Sequence, residues 1–254
     1  GYGKTFVVGD SLKPLAELWR LMIEKPNQLA DDYELIWSGQ ESDPRRHFDE
    51  VRAEFNVDGF PAQLLYLLAR CVKNAVRFNP KGEFNQSADH RRTGMRPEKM
   101  RREIAGVHKL LNGRAEAVHA DYGELLARAK KSDFVFMDPP YQGVSNGRDT
   151  RYFQKLDVER FISEIDQLNS RSIRFMITFD GRTGDRTYGD ALPKDLRLKH
   201  VHIHTGRSTQ ATLGGRVDET IESLYLSPAL MKEVTYVPEV LRLSDLPQQE
   251  SLTL

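Results

Sequence analysis

Phe134-Val135-Phe136-Met137-Asp138-Pro139-Pro140-Tyr141 is the stretch on which the fold is read. Its first four residues form a short apolar run rich in β-formers, which fits a buried strand better than a helix. Asp138 closes the run. Pro139 and Pro140 have no N–H to donate, and a proline pushes the residue before it toward extended backbone. The chain therefore leaves the strand as a stiff extended loop whose carbonyls can face a cleft. In an open α/β sheet, ligands bind at the carboxyl ends of the strands. A carboxylate, a free carbonyl and an aromatic ring are held together at such an end. That set suits a planar base with an exocyclic amine: carboxylate and carbonyl accept the amino hydrogens, and the ring stacks on the base. The other reading of the same residues is an ordinary Asp-Pro turn with a surface tyrosine.

Strands and helices alternate on either side of this stretch. Thr5–Gly9 reads as a buried strand ending at Asp10. Leu12–Glu24 reads as a helix with Leu15, Leu18, Trp19, Met22 and Ile23 on one face. Residues 26–59 are acidic and poorly periodic, and they suggest no element. Pro61–Phe78 reads as one long apolar helix, and Asn79–Gly94 as a polar loop. Pro97 suits a first helical turn, and the helix it opens runs to Asn112 and stops at Gly113. Val158–Leu168 is amphipathic with Asp157 as its cap. Arg174–Phe179 is a further strand, while Leu196–His204 and Thr220–Leu226 alternate like a terminal hairpin. The pattern is an α/β sheet interrupted by a largely helical, basic insertion between Pro26 and Gly113.

The 254 residues carry 37 Lys+Arg against 37 Asp+Glu, a length that allows one or two domains. Cys71 is the single cysteine, which excludes an intrachain disulfide and a cysteine metal cluster. It falls in the apolar helix and reads as buried and inert. No His/Asp/Glu spacing suggests a metal. No apolar run approaches the ~18–20 residues of a membrane span, and no secretory signal is visible. A soluble cytoplasmic protein is expected. The neutral total hides an asymmetry. Residues 31–60 hold nine acids and three bases, whereas residues 70–109 hold eleven bases and four acids. A basic block of this kind either tracks a phosphate backbone or is a solvated helix face.

DPPY after an apolar strand resembles the signature of the Dam-type (α-group) DNA adenine-N6 methyltransferases, which depend on S-adenosylmethionine. Other segments resemble that family in the same order. Arg77-Phe78-Asn79-Pro80-Lys81-Gly82-Glu83-Phe84-Asn85 is similar to its R-[YF]-N-x-[KR]-G-x-F-N stretch. Val7-Val8-Gly9-Asp10 resembles its second strand, whose terminal acid holds the cofactor ribose. Val118-His119-Ala120-Asp121 resembles its third cofactor motif, and Glu222-Ser223-Leu224-Tyr225-Leu226 its closing strand. Gly206–Arg216 resembles a DNA-clamping loop of the family. The match departs at two places. The family's F-x-G-x-G loop and the segment before it have no counterpart, so a complementary N-terminal segment or partner chain is expected to complete the enzyme. Gln86–Arg92 replaces the usual Pro-aromatic-Gly-Arg turn, so a target sequence does not carry over.

The resemblance implies a Rossmann-like S-adenosylmethionine methyltransferase sheet with an antiparallel terminal strand and an inserted, mainly helical target-recognition domain. It divides the chain into a first catalytic part at 1–28, a DNA-recognition insertion at 29–113, a second catalytic part at 114–240 and a tail at 241–254. It implies a catalytic role for Asp138, Pro139, Pro140 and Tyr141, and cofactor contacts for Asp10, Asp121 and Asp138. DNA contacts fall to Arg77, Asn79, Lys81, Asn85, Arg91, Arg92, Arg207 and Arg216. Each has a plainer alternative: Asp10 caps a helix, Asp121 with Glu124 forms a capping box, and Arg77 and Lys81 are solvated loop charges. Tyr152 and Phe153 are core or base-contacting, and His202 and His204 are ordinary strand residues. The expected partners are duplex DNA and a cognate restriction endonuclease, in a bacterial, archaeal or phage setting. Two other readings stay open: an N4-cytosine or RNA amino-methyltransferase, and a DNA-binding subunit inactive alone. The leading Asp favours adenine, and Cys71, outside any Pro-Cys context, argues against cytosine C5.

Overall fold

The computed structural model describes residues 3–72, 76–79, 81–140, 156–207 and 219–242. They divide into two compact units, the first reaching to Leu125 and the second beginning at Leu126.

In the first unit, β1 (Phe6–Asp10) pairs in parallel with β2 (Ala115–His119), in register from Phe6 opposite Ala115 to Asp10 opposite His119. Five helices lie between these strands in sequence: α1 (Lys13–Glu24), α2 (Pro26–Ser38), α3 (Pro44–Asp58), α4 (Pro61–Arg70) and α5 (Pro97–Leu111). Each has a proline in its first turn, where the missing N–H costs nothing and the fixed φ suits the helix. After α3, Gly59 takes a left-handed conformation (φ 65°) that ends the helix. The core gathers Leu29 and Tyr33 of α2, Phe48 of α3, Leu64, Tyr66 and Leu67 of α4 and Ile104 of α5, all fully or almost fully buried. Leu12 and Leu18 belong to the same core, and α1 packs with α2, α4 and α5.

Three helices differ from the sequence expectation. Residues 26–59, which suggest no element, fold into α2 and α3. Their buried positions, Leu29, Ala30 and Tyr33, then Phe48, Val51 and Phe55, do recur at helical spacing. Acidic residues and the proline-led turn at Asp43, whose carboxylate accepts from Arg46 N at 3.0 Å, mask that period. Conversely, α4 stops at Arg70 instead of running to Phe78. Cys71 forms an antiparallel bridge with Ala88, and Phe78 another with Phe84. The backbone is drawn out to pair with the returning loop, and Cys71 is buried just past the helix end.

In the second unit the strand order is β3-β4-β7-β6-β8. β3 (Phe134–Met137) and β4 (Arg174–Thr183) are parallel, and α7 (Val158–Ser170) lies between them in sequence. Asp157 caps α7 by accepting from Arg160 N at 3.1 Å. β7 (Glu219–Leu226) runs antiparallel to both β4 and β6 (Lys199–Arg207). β8 (Val240–Arg242), which the sequence did not suggest, lies parallel to β6, and the short β5 (Arg186–Thr187) folds back on β4. The helix α6 (Tyr122–Arg128) precedes β3, and α8 (Pro228–Met231) follows β7.

Alternation gives this sheet two faces. Phe175, Ile177 and Phe179 of β4 are buried with Phe161, Ile165 and Leu168 of α7, and the Phe161 and Phe179 rings are 5.5 Å apart. The opposite face buries Val201, Leu224 and Leu226 against Met176, Ile203, Leu230 and Leu241. β3 forms as expected but is less buried than its composition suggests. Phe134 and Phe136 are 51% and 60% exposed, because β3 ends the strand order among the described residues and the cover on their face lies over β4, β7 and β6. Among the described residues no helix is long and apolar enough to cross a membrane.

Candidate functional site

Strand register decides what stands beside Asp138. Phe136 lies opposite Met176 on β4. Two residues further on come Asp138 and Thr178, on the same face of the sheet. The Thr178 hydroxyl donates to Asp138 Oδ1 at 2.5 Å. Thr178 is itself opposite Leu224 of β7, and Glu222, two residues before Leu224, shares the face. A register shift between Thr178 and Gly181 places Glu222 opposite Gly181. The approach there is close: a Cβ on Gly181 would stand 2.6 Å from the Ile221 carbonyl oxygen. Asp138 and Thr178 thus stand side by side just past the carboxyl end of β3, with Glu222 further along the same face, beyond an apolar row of Phe136, Met176 and Leu226. Asp138 is exposed and Glu222 half-buried. Burial, with the Asp138 charge as the smaller cause, raises the Glu222 carboxyl above its ordinary value. Pro139 and Pro140 are half-buried and continue the chain from Asp138. Tyr141 lies outside the described residues.

The opposite face carries a separate polar cluster. The Tyr225 hydroxyl donates to the buried Asp180 carboxylate, and the His200 ring stacks on Tyr225 at 4.4 Å. His200 and His202 ring centroids are also 4.4 Å apart, and His204 Nδ1 lies 3.5 Å from Glu219. These histidines are strand residues with protein partners.

In the first unit, Asp10 closes β1 and its carboxylate accepts from Leu12 N at 2.7 Å. Burial pushes the Asp10 carboxyl up, against the Leu12 N–H and His119, which pull it down. Ala120 N donates to Asp10 O at 3.2 Å, so the chain leaves β2 alongside the end of β1. Asp121 follows, and its Oδ1 accepts from Gly123 N at 2.9 Å at the start of α6. Both carboxylates therefore organise a turn. Both also stand at the carboxyl ends of adjacent parallel strands, where α/β sheets bind ligands. A carboxylate at such an end fits a ribose hydroxyl.

The basic segment is built around Asn79. Its Oδ1 accepts from Lys81 N at 2.9 Å and Glu83 N at 3.0 Å, while its Nδ2 donates to Glu83 Oε2 at 2.6 Å. Asn79 shapes the turn that presents Lys81, which is exposed. Asn85 is exposed, and its N–H donates to Arg77 O at 2.8 Å. Arg77 is half-buried. Arg91 and Arg92 share Asp89, each with Nε 3.6 Å from a carboxylate oxygen, yet their side chains remain 87% and 63% exposed. The Arg91 N–H, foremost, and the two guanidinium groups hold the Asp89 carboxyl below its usual range.

Part of the basic block serves the fold instead. Arg70 is buried, donating from Nε to Gln40 Oε1 at 3.1 Å and from Nη1 to Asp89 O at 2.5 Å. Arg101 holds Asp31 at 2.6 Å and Glu34 at 2.9 Å, so acidic α2 neutralises part of basic α5. Arg207 ends β6, its backbone opposite Glu219. Arg216, most of the loop from Gly206 to Arg216, Tyr152, Phe153, Pro80 and the tail beyond Arg242 lie outside the described residues. The sequence reading did not single out Thr178 as an Asp138 partner. The signal was present only in register, since Thr178 is one more polar residue in an alternating strand.

Comparison with known proteins identifies relatives of the chain. The chain is similar to a DNA N-6-adenine-methyltransferase of Escherichia phage P1, 28% identical over 141 residues, which are 52% of this chain and 18% of that protein. It is 22% identical over 237 residues to the type II methyltransferase M1.LlaDCHI of Lactococcus lactis subsp. cremoris, covering 86% of this chain and 79% of the relative. It is 30% identical over 126 residues to the retron Ec67 DNA adenine methylase of Escherichia coli, covering 47% of this chain and 43% of that protein. The chain thus spans less than half the length of the phage and retron relatives, and most of the lactococcal one. The family model described as D12 class N6 adenine-specific DNA methyltransferase matches residues 2–208. The chain belongs to the D12 class of N6 adenine-specific DNA methyltransferases.

Proposed function

We propose that the chain transfers a methyl group from S-adenosylmethionine to N6 of adenine within a specific duplex DNA sequence. The observation that carries this reading is Asp138, an exposed carboxylate at the carboxyl end of β3, followed by two prolines in a chain of this family. N6 is inaccessible inside a duplex, so the target adenine flips out of the stack. Asp138 and the Pro139 carbonyl accept the two amino hydrogens. That draws the nitrogen toward a pyramidal geometry and aims its lone pair for attack. Tyr141 stacks on the base. Asp10 holds a ribose hydroxyl of the cofactor, and Asp121 lies beside the same strand ends. The cofactor supplies an electrophilic methyl group, and the protein supplies orientation and electrostatics. No covalent enzyme intermediate is needed.

Residues 29–113 act as the target-recognition region in this proposal, with Arg77, Lys81, Asn85, Arg91 and Arg92 contacting DNA, and Arg207 and Arg216 are assigned to DNA as well. Asn79 acts by shaping the loop. The lactococcal relative is a type II methyltransferase, and a restriction endonuclease acting at the same sequence is the corresponding partner. The test is to express the full reading frame in a host without adenine methylation and sequence modified bases. N6-methyladenine at one defined motif, lost in Asp138→Ala, is the expected result. N4-methylcytosine, or unmodified DNA from a folded and expressed protein, would overturn the reading.

A further inference from the structure

The proposed role of Asp138 leaves open what fixes its carboxylate. An exposed aspartate at the end of a strand rotates freely about its side-chain bonds, and a freely rotating acceptor contributes little to orientation. Here one oxygen is already taken. Thr178 lies on the neighbouring strand, on the same face, with its hydroxyl 2.5 Å from Asp138 Oδ1. The hydroxyl is placed by β4, a ten-residue strand paired on both sides, with β3 and β7, and not by a loop. Threonine is also branched at Cβ, which restricts its own rotation. The donor is therefore held more rigidly than the acceptor.

We infer that Thr178 is a positioning residue for methyl transfer: its hydroxyl holds Asp138 Oδ1 and leaves Oδ2 to accept one amino hydrogen of the flipped adenine. This rests on the assignment of Asp138 to the base pocket. The hydrogen bond does two things. It sets the rotamer of Asp138 before the base arrives, so no ordering is left for the binding step. It also divides the carboxylate between a permanent protein donor and a substrate donor, which makes the site selective for a base that has an amino group to offer. Glu222 lies on the same face, and its raised carboxyl senses burial first and the Asp138 charge second.

The test compares Thr178→Val, which keeps the shape and removes the donor, with Thr178→Ser, which keeps the donor. Each is made in the full chain, and its fold is checked by thermal melting. The substrate is a duplex bearing the sequence found methylated in the host. Thr178→Val should lower kcat about 10- to 100-fold, the loss expected for one hydrogen bond to a charged group, with KM for DNA within about twofold. Thr178→Ser should recover most of it. A second readout needs no catalysis: equilibrium binding to duplexes with adenine or purine at the target position, purine lacking the amino group. The parent chain should prefer adenine. Thr178→Val should lose most of that preference, and Thr178→Ser should keep it.

If Thr178→Val melts early, Thr178→Ala against Thr178→Ser reads the same contrast. Serine no better than the donor-less variant overturns the inference, as does an unchanged kcat and adenine preference in Thr178→Val. Asp138→Ala, run alongside, separates the two claims. Full activity there removes the assignment of Asp138 itself. An inactive Asp138→Ala beside an unaffected Thr178→Val removes only the role of Thr178.

Discussion

Asn56 on α3 bonds both backbone polar groups of Phe84. Its Oδ1 accepts from Phe84 N at 2.7 Å, and its Nδ2 donates to Phe84 O at 3.1 Å. The Phe84 ring is buried edge-on to Phe55 and Phe78. One helical side chain therefore pins the far end of the turn that Asn79 organises. Asn56→Ala leaves two buried backbone groups to find other partners, and should cost about 1–3 kcal/mol of stability in denaturant unfolding. DNA affinity should fall with it, because Lys81 is presented from that turn. A variant with wild-type stability and wild-type DNA affinity would show that the turn holds itself.

Arg91 and Arg92 are each 3.6 Å from Asp89 but largely exposed. Asp89 is buried and keeps the Arg91 N–H at 2.9 Å as a partner of its own, so the two loosely paired, exposed guanidinium groups can exchange Asp89 for phosphate. Arg91→Ala and Arg92→Ala should each weaken DNA binding of all sequences. Each should also shallow the salt dependence of log Kd by roughly one unit of slope. Arg70→Ala should behave differently: its buried hydrogen bonds to Gln40 and Asp89 make it a stability variant, with no phosphate lost. Titrations at several salt concentrations distinguish the two kinds of arginine.

How far the sequence could be read follows from where information is local. The strand before Asp138, the Asp157 cap and the Pro97 start are written in adjacent residues, and the structure has all three. α2 and α3 were hidden because their buried positions are few and set among acids that later find partners, as Asp31 and Glu34 find Arg101. The end of α4 at Arg70 is decided by a strand-like bridge from Cys71 to Ala88, a contact that no local propensity encodes. The same holds at the site. Asp138 is marked by the prolines after it, whereas Thr178 and Glu222 join it only through the register of β4 with β3 and β7. The basic block was legible as charge but not as function, since only the fold separates Arg70 and Arg101 from Arg91 and Arg92.

Tyr141 follows the two prolines and is assigned to stack on the flipped base. Tyr141→Ala should weaken capture of that base by about 1–3 kcal/mol. A duplex with 2-aminopurine at the target position reads this directly, since the analogue brightens when it leaves the stack. The variant should show a smaller fluorescence rise at saturating protein. Tyr141→Phe should match the parent, because stacking uses the ring and not the hydroxyl. An unchanged rise in Tyr141→Ala would remove the stacking role.

Glu222 supplies a test of its coupling to Asp138 through stability alone. Its carboxyl is raised from 4.5 by burial first and by the Asp138 charge second. A group whose folded pKa lies above its unfolded one binds more protons in the folded state. Stability then falls as pH rises from the unfolded value through the folded one, and the cost is complete above both. Glu222→Gln removes the charge that is penalised while keeping the shape, so it should raise the unfolding midpoint at neutral pH. The gain should shrink as pH falls through this range and vanish well below 4.5, where the parent glutamic acid is already neutral. Made in an Asp138→Asn background, the same substitution should give a smaller gain at neutral pH, because one of the two causes is gone. Melting curves of the four proteins across the acid range decide it. A gain that is independent of pH would mean that Glu222→Gln acts through packing against Gly181 and Ile203, and that the two carboxylates do not sense each other.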